Sequence, residues 1–495
     1  MQKKPLPISR LITLAFCFCT LAATICCPPL NAQTSYGGIS GVVTDPSAAA
    51  IADAEVTLTN TATGEKLVQR TSPDGLYDFV NLKQFTYKID VEKTGFKRIS
   101  RSDVIVQVDQ KVRIDLTMQL GEVSQTVEVT GETPLLQPET SSLGQVVEGR
   151  KVGELPLNGR NVFNLITLAP SVVPQGSAGG TPVGVNPFGW GNYQVNGSFG
   201  NESAEYLDGQ PLNIGYINLP VIIPTQDSVQ EFKVQTSNTG ADWGKFSGGV
   251  INLSTKSGTN GLHGEAYEYL RNAVLNANTP FNKANQIVSG QANKPGAFTQ
   301  NQFGANAGGP LIIPKVYDGR NKTFWFVSWE AFRLRQGVPP ILTTVPTDAQ
   351  LANPGDFSWY KGTLVDPCPT VSGPVGCATG TPAGTFAGNM IPANRLNPTS
   401  LSLLPLIFPK ANLPGSIDPT TGATINNYGA SYASGGNQNQ VVGRFDQNLG
   451  TKQRLYFRYT YFNVLDLPQD PLANGLCLDR CAEIYYTYSG VLGYN

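Results

Sequence analysis

Residues 242–264 read Asp-Trp-Gly-Lys-Phe-Ser-Gly-Gly-Val-Ile-Asn-Leu-Ser-Thr-Lys-Ser-Gly-Thr-Asn-Gly-Leu-His-Gly, and this stretch separates two different kinds of sequence. Gly244, Gly248 and Gly249 permit sharp bends and close approach of the backbone, and residues 250–253 predict a short strand that ends in a Ser-Gly-Thr-Asn-Gly turn. Upstream, short apolar segments alternate with Gly and Pro turns. Downstream, aromatic-rich alternating segments are separated by long polar stretches. We therefore interpret residues 242–264 as the joint between two β structures.

The composition is that of a β-rich protein without a nucleic-acid partner. The chain has 495 residues, which is room for about three domains of ~150 residues. Charged residues make up 14% of the chain against about 25% in an average protein, while Gly, Asn, Thr and Tyr are abundant. The net charge is −1 and there is no basic block, so the electrostatic footprint of a nucleic-acid-binding protein is missing.

The first 32 residues have the features of a secretory signal peptide. Lys3, Lys4 and Arg10 precede an apolar run at residues 11–25, and Ala32 offers a small residue for cleavage. The run is short for a membrane span, and an uncleaved anchor helix is the alternative interpretation. Because the other apolar runs are shorter still, we expect any membrane insertion of the mature chain to use strands.

Cleavage after Ala32 would leave cysteines only as two local pairs, Cys368 with Cys377 and Cys477 with Cys481. An even number of cysteines in an oxidising compartment favours disulfides that close loops. A Cys/His zinc site would have to combine the single histidine of the chain with cysteines from both distant pairs. We therefore predict structural disulfides and no metal site.

Residues 36–120 predict a small antiparallel β-sandwich. Val56 and Leu58 alternate with polar residues, and residues 112–118 repeat this pattern, so each predicted strand has one apolar face. Turn sequences with a spacing suited to a sandwich occur at 45–46, 63–64, 73–75 and 94–95.

Three motifs in this region resemble the carboxypeptidase-regulatory-like domain, a transthyretin-type sandwich grouped with carbohydrate-binding folds. They are Gly-Ile-Ser-Gly-Val-Val-Thr-Asp at 38–45, Ser-Pro-Asp-Gly-Leu-Tyr-Asp-Phe at 72–79 and Lys-Thr-Gly-Phe at 93–96. The usual Pro-Gly-Thr-Tyr turn of that family is replaced by Lys-Gln-Phe-Thr-Tyr at 83–87. The resemblance implies an accessory module without catalytic residues. Its candidates for stacking on sugars, with a place in the core or a supporting role as the alternative, are Tyr77, Phe79, Tyr87 and Phe96.

Residues 121–140 predict a linker with a candidate partner-binding strand. An extended, polar-flanked segment with alternating valines can add to the sheet edge of another protein through main-chain hydrogen bonds. The residues Thr126, Val127, Glu128, Val129 and Thr130 form such a segment, which resembles the TonB box of TonB-dependent transporters. The alternative is an ordinary last strand or linker of the sandwich.

Residues 141–256 predict a second body with both helix and strand. Residues 155–170 read as a tight turn and a short helix with Val162, Leu165, Ile166 and Ala169 on one side, and Pro170 stops the helix. Short strands joined at Asn-Gly and Asp-Gly turns follow. This order of motifs, through Gly-Val-Ile-Asn-Leu-Ser-Thr-Lys-Ser-Gly at 249–258, closely resembles the plug domain of TonB-dependent receptors. It is similar specifically to the Oar-like group, which joins such a plug to the sandwich described above.

Residues 257–495 predict strands of a lipid-facing wall. In the segment 324–331, Trp325, Val327 and Trp329 share one face, and residues 441–446 and 455–461 alternate in the same way. Apolar residues toward lipid and charged residues toward a wet lumen are what an outer-membrane β-barrel requires. A soluble β-sandwich with half-buried strands is the alternative.

Two expectations concern the extent of this wall. Residues 334–438, rich in Pro, Gly, Thr and Asn, are expected to form an extracellular loop with little regular structure. We find six or seven strand candidates, whereas a plugged barrel of this family needs about 22, so we expect a truncated chain with an incomplete Oar-like barrel. The predicted fold is thus mainly β: a transthyretin-like sandwich, an α+β plug, and the first part of a transmembrane antiparallel β-barrel.

The sequence carries no catalytic motif. A nucleophile elbow, a phosphate loop and a zinc-binding helix are all missing. The lone His263 is interpreted as a structural or interface residue rather than a general base. Glu205 and Asp208 lie close enough in sequence to form a carboxylate pair, but the Asp-Gly turn explains Asp208 without catalysis. We predict a protein that is not an enzyme and binds no cofactor.

The resemblance implies an outer-membrane receptor that takes up an unidentified ligand, such as a carbohydrate, a peptide or a metal chelate. Its partners would be a TonB-type periplasmic energy-coupling protein and the lipid of a Gram-negative outer membrane, with the sandwich in the periplasm. Since there is no nucleotide site, the resemblance assigns the energy to the proton gradient. The alternative function is a surface or periplasmic carbohydrate-binding or adhesion protein without transport activity.

Overall fold

The computed structural model describes most of the chain. The described residues are 36–122, 126–128, 142–175, 192–200, 202–213, 218, 220–240, 243, 246–288, 292–367, 369, 383–450, 453–467, 472 and 483–494. The predicted signal peptide, all four cysteines of the predicted disulfides, and Val129 and Thr130 lie outside these residues.

The N-terminal part folds as two facing β-sheets, which we call the sandwich. Its strands are β1 (Gly37–Thr44), β2 (Glu55–Asn60), β3 (Lys66–Arg70), β4 (Leu76–Leu82), β5 (Thr86–Glu92), β6 (Arg98–Ile105), β7 (Lys111–Arg113), β8 (Leu116–Thr117) and β9 (Thr126–Glu128). One sheet has the order β4-β1-β7, with β8 also paired to β1, and the other has the order β3-β2-β5-β6-β9. The pairs β1–β7, β1–β8 and β6–β9 are parallel.

The alternation in the sandwich strands produces its core as predicted. Val56 and Leu58 of β2 are fully buried, and so is every second residue of the segment 112–118. Tyr77, Phe79 and Tyr87 also lie in this core, and Phe96 packs partly buried against it.

A second body follows, which we call the plug. Its elements are β10 (Leu143–Val147), α1 (Gly149–Glu154), 3-10 turns at Asn158–Arg160, Val162–Leu168 and Gln226–Ser228, and the strands β11 (Val172–Gln175), β12 (Asn192–Val195), β13 (Ala204–Leu207), β14 (Gln210–Pro211), β15 (Val229–Ser237) and β16 (Val250–Thr255). The main sheet has the order β10-β15-β16-β13-β14, and β11 pairs with β12.

The helix predicted before Pro170 exists but is a 3-10 helix rather than an α-helix. Its predicted face is correct, because Val162, Leu165, Ile166 and Ala169 are all buried in the plug core. The side chain of Asn161 caps the first turn by accepting a hydrogen bond from the amide of Phe163 at 2.9 Å. The run has seven residues, which is longer than the usual 3-10 segment of about three or four residues, and Pro170 follows two positions after its last residue.

The joint at 242–264 contains strand β16 and the crossing from the plug to the next sheet. A Cβ atom at Gly249 would lie 2.8 Å from the side chain of Val195 and 3.0 Å from the carbonyl oxygen of Gln235. At Gly258 it would lie 2.4 Å from the carbonyl oxygen of Trp325. Gly249 therefore permits the close backbone approach that the sequence indicated, and Gly258, which the sequence placed in the following turn, permits a second one.

The C-terminal part forms one antiparallel sheet, which we call the wall. In the order in which they pair, its strands are β17 (His263–Asn272), β18 (Phe298–Pro310), β21 (Thr323–Thr343), β26 (Tyr428–Leu449), β27 (Gln453–Leu467) and β28 (Glu483–Tyr494). The predicted faces are correct: Val327 and Trp329 are 44% and 40% exposed on the outer face, while Glu330 is 5% exposed on the inner face. Phe445 and Phe457 face outward in the same way, and Arg444 and Arg458 face inward. The alternative of a soluble body with these outer aromatic residues packed inside is not what the structure contains.

The connections of the wall carry more regular structure than the sequence indicated. Near β17 lie a 3-10 turn at Ala273–Leu275 and helix α2 (Pro280–Val288), and between β18 and β21 lie the two-residue strands β19 (Ile312–Ile313) and β20 (Tyr317–Asp318). Between β21 and β26 lie α3 (Asp348–Ala352), β22 (Val365–Asp366), β23 (Gly384–Thr385), 3-10 turns at Ala387–Asn389 and Ala393–Arg395, α4 (Pro398–Ile407), β24 (Ser416–Ile417) and β25 (Thr424–Ile425). Strands β21 and β26 pair as far as Thr343 and Tyr428, so the expectation of an irregular loop over the whole of 334–438 is wrong at both ends.

Candidate functional site

The inner face of the wall holds the plug through two buried clusters of charged side chains. The first cluster is centred on Asp208, which follows β13 in the tight turn to β14 and has a positive φ of 51°. Its carboxylate accepts hydrogen bonds from the amide and the hydroxyl of Thr255 at 2.9 and 2.8 Å. Since Thr255 ends β16, these bonds fix the carboxylate at the rim of the plug sheet, where it faces the wall.

Two arginines of the wall meet Asp208. Arg444 Nη1 of β26 lies 3.1 Å from Asp208 Oδ1 and donates to the hydroxyl of Thr255 at 2.6 Å. Arg458 Nε of β27 lies 3.4 Å from Asp208 Oδ2, and the Arg458 side chain is 1% exposed. Such buried charges are stable only when they are paired, so this cluster ties the plug to two strands of the wall.

The same cluster reaches the sandwich. Arg444 also donates to both carboxylate oxygens of Asp446, at 3.0 and 3.2 Å. Asp446 Oδ1 in turn accepts a hydrogen bond from Lys83 Nζ at 2.9 Å, and both side chains are nearly inaccessible to solvent. We call Lys83, Asp208, Arg444, Asp446 and Arg458 the lower cluster.

The second cluster is centred on Arg160 of the plug, in the Asn-Gly-Arg turn. Its guanidinium donates to Asp227 at 2.6 Å and to Glu330 of β21 at 3.2 Å. It also lies 4.3 Å from the ring centroid of Tyr267 in β17, and the Tyr267 hydroxyl donates to Glu330 at 2.8 Å. One plug side chain therefore contacts two wall strands by ion pairing and by cation–π contact. We call Arg160, Asp227, Tyr267 and Glu330 the upper cluster.

Burial shifts the pKa of several groups in and near these clusters. Burial acts to lower the pKa of Arg160, but attraction from Asp227 and Glu330 outweighs it and raises this pKa. Burial lowers the pKa of Lys83 against the opposing attraction of Asp446. Burial raises the pKa of Glu205 and of Glu231 to about 8 each. The plug thus contains two carboxyl groups that favour the protonated form near neutral pH.

The arrangement is suited to holding and releasing a body rather than to covalent chemistry. Both clusters join the plug to the wall through charged groups that are paired when docked and that water can solvate when separated. Arg458 is held by its ion pair alone, since its Nε and Nη1 make no hydrogen bond in the described part of the chain. Glu205 and Asp208, which could be read as a carboxylate pair, serve separate contacts: Glu205 accepts hydrogen bonds from Tyr193 and Asn213 inside the plug. In the described part of the chain there is no group of three or more His, Cys, Asp or Glu side chains placed to hold a metal ion. The described residues also contain no helix that is both long and apolar enough to cross a membrane.

The predicted partner-binding segment lies at the edge of the sandwich. Its first residues form β9, which pairs in parallel with β6 through Arg98 with Thr126, Ile99 with Val127 and Ser100 with Glu128. His263 begins β17, is exposed, and its Nδ1 lies 3.0 Å from the carbonyl oxygen of Gly261.

The sequence predicts the wall members of the clusters only in part: three of the five residues of the lower cluster, and Glu330 alone of the four residues of the upper cluster. The alternation of the wall strands placed Arg444, Asp446 and Arg458 on the inner face. The plug partners Asp208 and Arg160 were missed, because an Asp-Gly turn and an Asn-Gly-Arg turn each explain their residues locally. The signal that could have found them is the need of inward-facing charges for partners of opposite sign on the body inside the wall.

The connection between β21 and β26 forms a cavity of about 340 Å³ at the opposite end from the lower cluster. Its walls are mainly apolar, and they include Val345, Leu351, Phe357, Trp359 and Leu404. The indole nitrogen of Trp359 donates to the carbonyl oxygen of Asp356 at 3.1 Å, which fixes the ring. An apolar cavity of this size with a few polar groups is a common form of ligand site.

Comparisons with known proteins find two matching family models and a similar transporter. Residues 254–493 match the family model described as outer membrane beta barrel domain, and residues 38–119 match the carboxypeptidase regulatory-like domain. The TonB-dependent transporter Oar of Myxococcus xanthus is 24% identical over 291 residues, which are 56% of this chain and 26% of the relative. The chain therefore spans about a quarter of the length of that curated relative.

The solved structures that match part of this chain include two outer-membrane proteins. The outer membrane transporter YddB from Escherichia coli is 10% identical with a TM-score of 0.37, and the match covers 65% of this chain and 33% of that one. The siderophore receptor PirA from Acinetobacter baumannii is 14% identical with a TM-score of 0.32, covering 72% and 45% respectively. The family matches identify an outer-membrane protein of the β-barrel type, homologous to a TonB-dependent transporter and carrying a carboxypeptidase-regulatory-like domain.

Proposed function

We propose that this homologue of the TonB-dependent transporter Oar takes part in the uptake of a ligand across the outer membrane, powered by a TonB-type periplasmic protein. The observation that carries the proposal is the plug held against the inner face of the wall by the two buried charged clusters. A body that only filled a barrel permanently would be expected to rely on apolar packing, whereas charged contacts can open into a wet lumen.

The energy would enter through the segment 126–130. Its first residues are already extended in β9, at the outer edge of a sheet. An extended segment at a sheet edge is the form in which a periplasmic partner can pair through main-chain hydrogen bonds. The proton gradient would supply the work through this partner, as the homology to TonB-dependent transporters suggests.

Ligand contact is proposed for the cavity that contains Phe357 and Trp359. Its apolar lining suits an apolar or ring-shaped part of a carbohydrate, a peptide or a metal chelate. The sandwich offers less support for sugar binding, because Tyr77, Phe79 and Tyr87 are buried in its core. No catalytic role is proposed, since the relatives are described as transporters and receptors.

The proposal is tested by binding of a purified TonB C-terminal domain to the full chain in detergent. Val127→Pro removes the backbone donor of the proposed pairing, whereas Val127→Ile keeps it and serves as the matched control. We expect Val127→Pro to lose binding at least about tenfold and Val127→Ile to bind like the wild type. Equal binding of both variants would refute the assignment of residues 126–130.

A further inference from the structure

The two ends of the wall differ in the length of their connections. Residues 450–452 alone connect β26 to β27, whereas residues 344–427 connect β21 to β26 and residues 468–482 connect β27 to β28. Outer-membrane barrels have short turns on the periplasmic side and longer loops outside. The end at residues 450–452 is therefore the periplasmic end, and the lower cluster lies near it.

The sandwich is docked on this periplasmic end of the wall. Arg454 Nε of β27 donates to Glu65 at 2.6 Å, and its Nη1 donates to the carbonyl oxygen of Asn81 at 2.7 Å. The backbone amide of Asn260 donates to the carbonyl oxygen of Ala62 at 3.1 Å, next to the crossing from the plug to the wall. Glu65 and Arg454 are both largely buried by this contact.

The sandwich also covers the plug. The hydroxyl of Ser254 in β16 donates to Gln84 at 3.0 Å, and Lys233 Nζ of β15 donates to the carbonyl oxygen of Asp109 at 2.7 Å. Gln84 and the neighbouring Lys83 come from the turn whose sequence departs from the usual Pro-Gly-Thr-Tyr pattern of the sandwich family. This difference in the turn sequence thus supplies the two side chains that contact the plug and the wall.

We infer that the sandwich is a latch: docked across the periplasmic ends of the plug and the wall, it blocks movement of the plug and has to leave before the plug can move. The contacts alone support the docking of the sandwich on the plug and the wall. That the sandwich must leave before the plug can move rests on the proposed function.

The charges of the lower cluster make such a latch reversible. With Lys83 in place the cluster contains three cations and two anions, and without it the two arginines and two aspartates balance. Asp446 keeps both of its bonds to Arg444 when Lys83 departs. Departure of the sandwich therefore leaves no unpaired buried anion on the wall, and Lys83 itself returns to water.

The position of β9 couples the latch to the partner. Within the residues that the structure describes, three residue pairs join β9 to β6, and both strands belong to the sandwich. A pull on the segment 126–130 is therefore applied to the edge of the docked sandwich, and this links partner binding to its departure.

The test measures how fast a polyethylene glycol maleimide labels Ser254→Cys in the full chain in detergent, relative to the same chain without the added cysteine. Residue 254 is 3% exposed while the sandwich is docked, so labelling of the otherwise unchanged chain should be slow. Glu65→Arg places an arginine next to Arg454, and the repulsion should release the sandwich and speed labelling at least about tenfold. Glu65→Arg combined with Arg454→Glu restores an ion pair and should return labelling to the slow rate. Val68→Cys, on the exposed side of the sandwich, is the control that should label quickly in every background.

Adding the TonB C-terminal domain tests whether the sandwich has to leave before the plug can move. The added domain should speed labelling of Ser254→Cys, and a disulfide between Ala62→Cys and Asn260→Cys should abolish this response until it is reduced. Slow labelling in Glu65→Arg, or no recovery in the charge-reversed pair, overturns the latch. Binding of the TonB domain without faster labelling overturns the requirement to leave. If the domain does not bind at all, the proposed function fails, while the charge-reversal result still decides the docking.

Discussion

Replacing Asp208 by Asn removes one charge from the centre of the lower cluster and keeps the shape of the side chain. The amide can still accept the hydrogen bond from the Thr255 amide, but Arg458 loses its carboxylate partner in the described part of the chain. Removing one partner of a buried ion pair typically costs 3–5 kcal/mol, and because Arg444 keeps Asp446 we expect the lower end, about 3 kcal/mol. This cost should appear as easier opening of the plug sheet.

Hydrogen exchange of the amides in β16 measures this opening directly. Since 1.4 kcal/mol corresponds to a factor of ten, exchange of residues 250–255 should become about a hundredfold faster in Asp208→Asn. Arg458→Met removes the cation that Asp208→Asn leaves without a carboxylate partner. The loss of stability in the double variant should therefore be smaller than the sum of the losses in the two single variants, by about 1–3 kcal/mol. Asp318→Asn, which breaks an exposed ion pair with Arg320 in a turn of the wall, is the matched control and should leave β16 unchanged.

Two results would refute this reasoning. Exchange in β16 that is the same in Asp208→Asn and in the wild type would mean that the cluster does not hold the plug. Strict additivity of Asp208→Asn and Arg458→Met would mean that the two side chains do not interact, whatever their separation.

Three further predictions concern the plug, the sandwich and the joint. The pKa values of Glu205 and Glu231 are raised from the ordinary value of 4.5 to about 8 in the folded chain, so both groups bind protons more tightly when folded. Their contribution to plug stability should be fully present below pH 4.5 and be lost as the pH rises through about 8. The urea midpoint should therefore be lower at pH 9 than at pH 5, and replacing both residues by Gln should remove this difference. Leu58→Ala, at a fully buried position of the sandwich core, should cost about 2–5 kcal/mol in the free energy of unfolding from urea titration, and a cost below 1 kcal/mol would contradict the core assignment. Gly258→Val should reduce the amount of chain in the outer-membrane fraction several-fold, because its Cβ would lie 2.4 Å from a main-chain oxygen of the wall, whereas Gly261→Val, whose nearest neighbour atom is 3.9 Å away, should not.

The period of two in the sequence was enough to predict the faces of the wall. The side chains of each strand alternate between lipid and lumen, so Trp329 and Glu330 could be assigned to opposite faces from their positions in the sequence alone. The contacts that hold the plug could not be predicted in this way. Asp208 and Arg444 are 236 positions apart, and each satisfies its local pattern without the other. Their pairing is decided by how the plug sits inside the wall, which no local pattern describes.

The end of strand β21 shows a second limit of sequence reasoning. The expectation of a loop from residue 334 onward rested on the Pro, Gly, Thr and Asn content of residues 334–438, and Pro339 and Pro340 in this stretch lack backbone donors. In the structure the register shifts between Val338 and Ile341, which lets the strand pass the two prolines and continue its pairing to Thr343. An irregularity of this kind absorbs residues that cannot join the ladder, so composition alone underestimated the length of the strand.

The contacts between the plug and the wall also explain why a buried charge network is useful in this place. Among the described residues, one buried apolar cluster spans the plug and the wall, where Ile222 of the plug packs against Phe332, Phe462 and Val464. If all contacts were of this kind, moving the plug would expose apolar surface to the water of the lumen at a cost of about 25 cal/mol per Å². Paired charges lose their mutual attraction on separation but regain hydration, so their net contribution is small while their geometry stays specific. A plug positioned by Arg160 and Asp208 can thus be placed accurately and still be moved by a modest force, provided that the sandwich does not hold it from below.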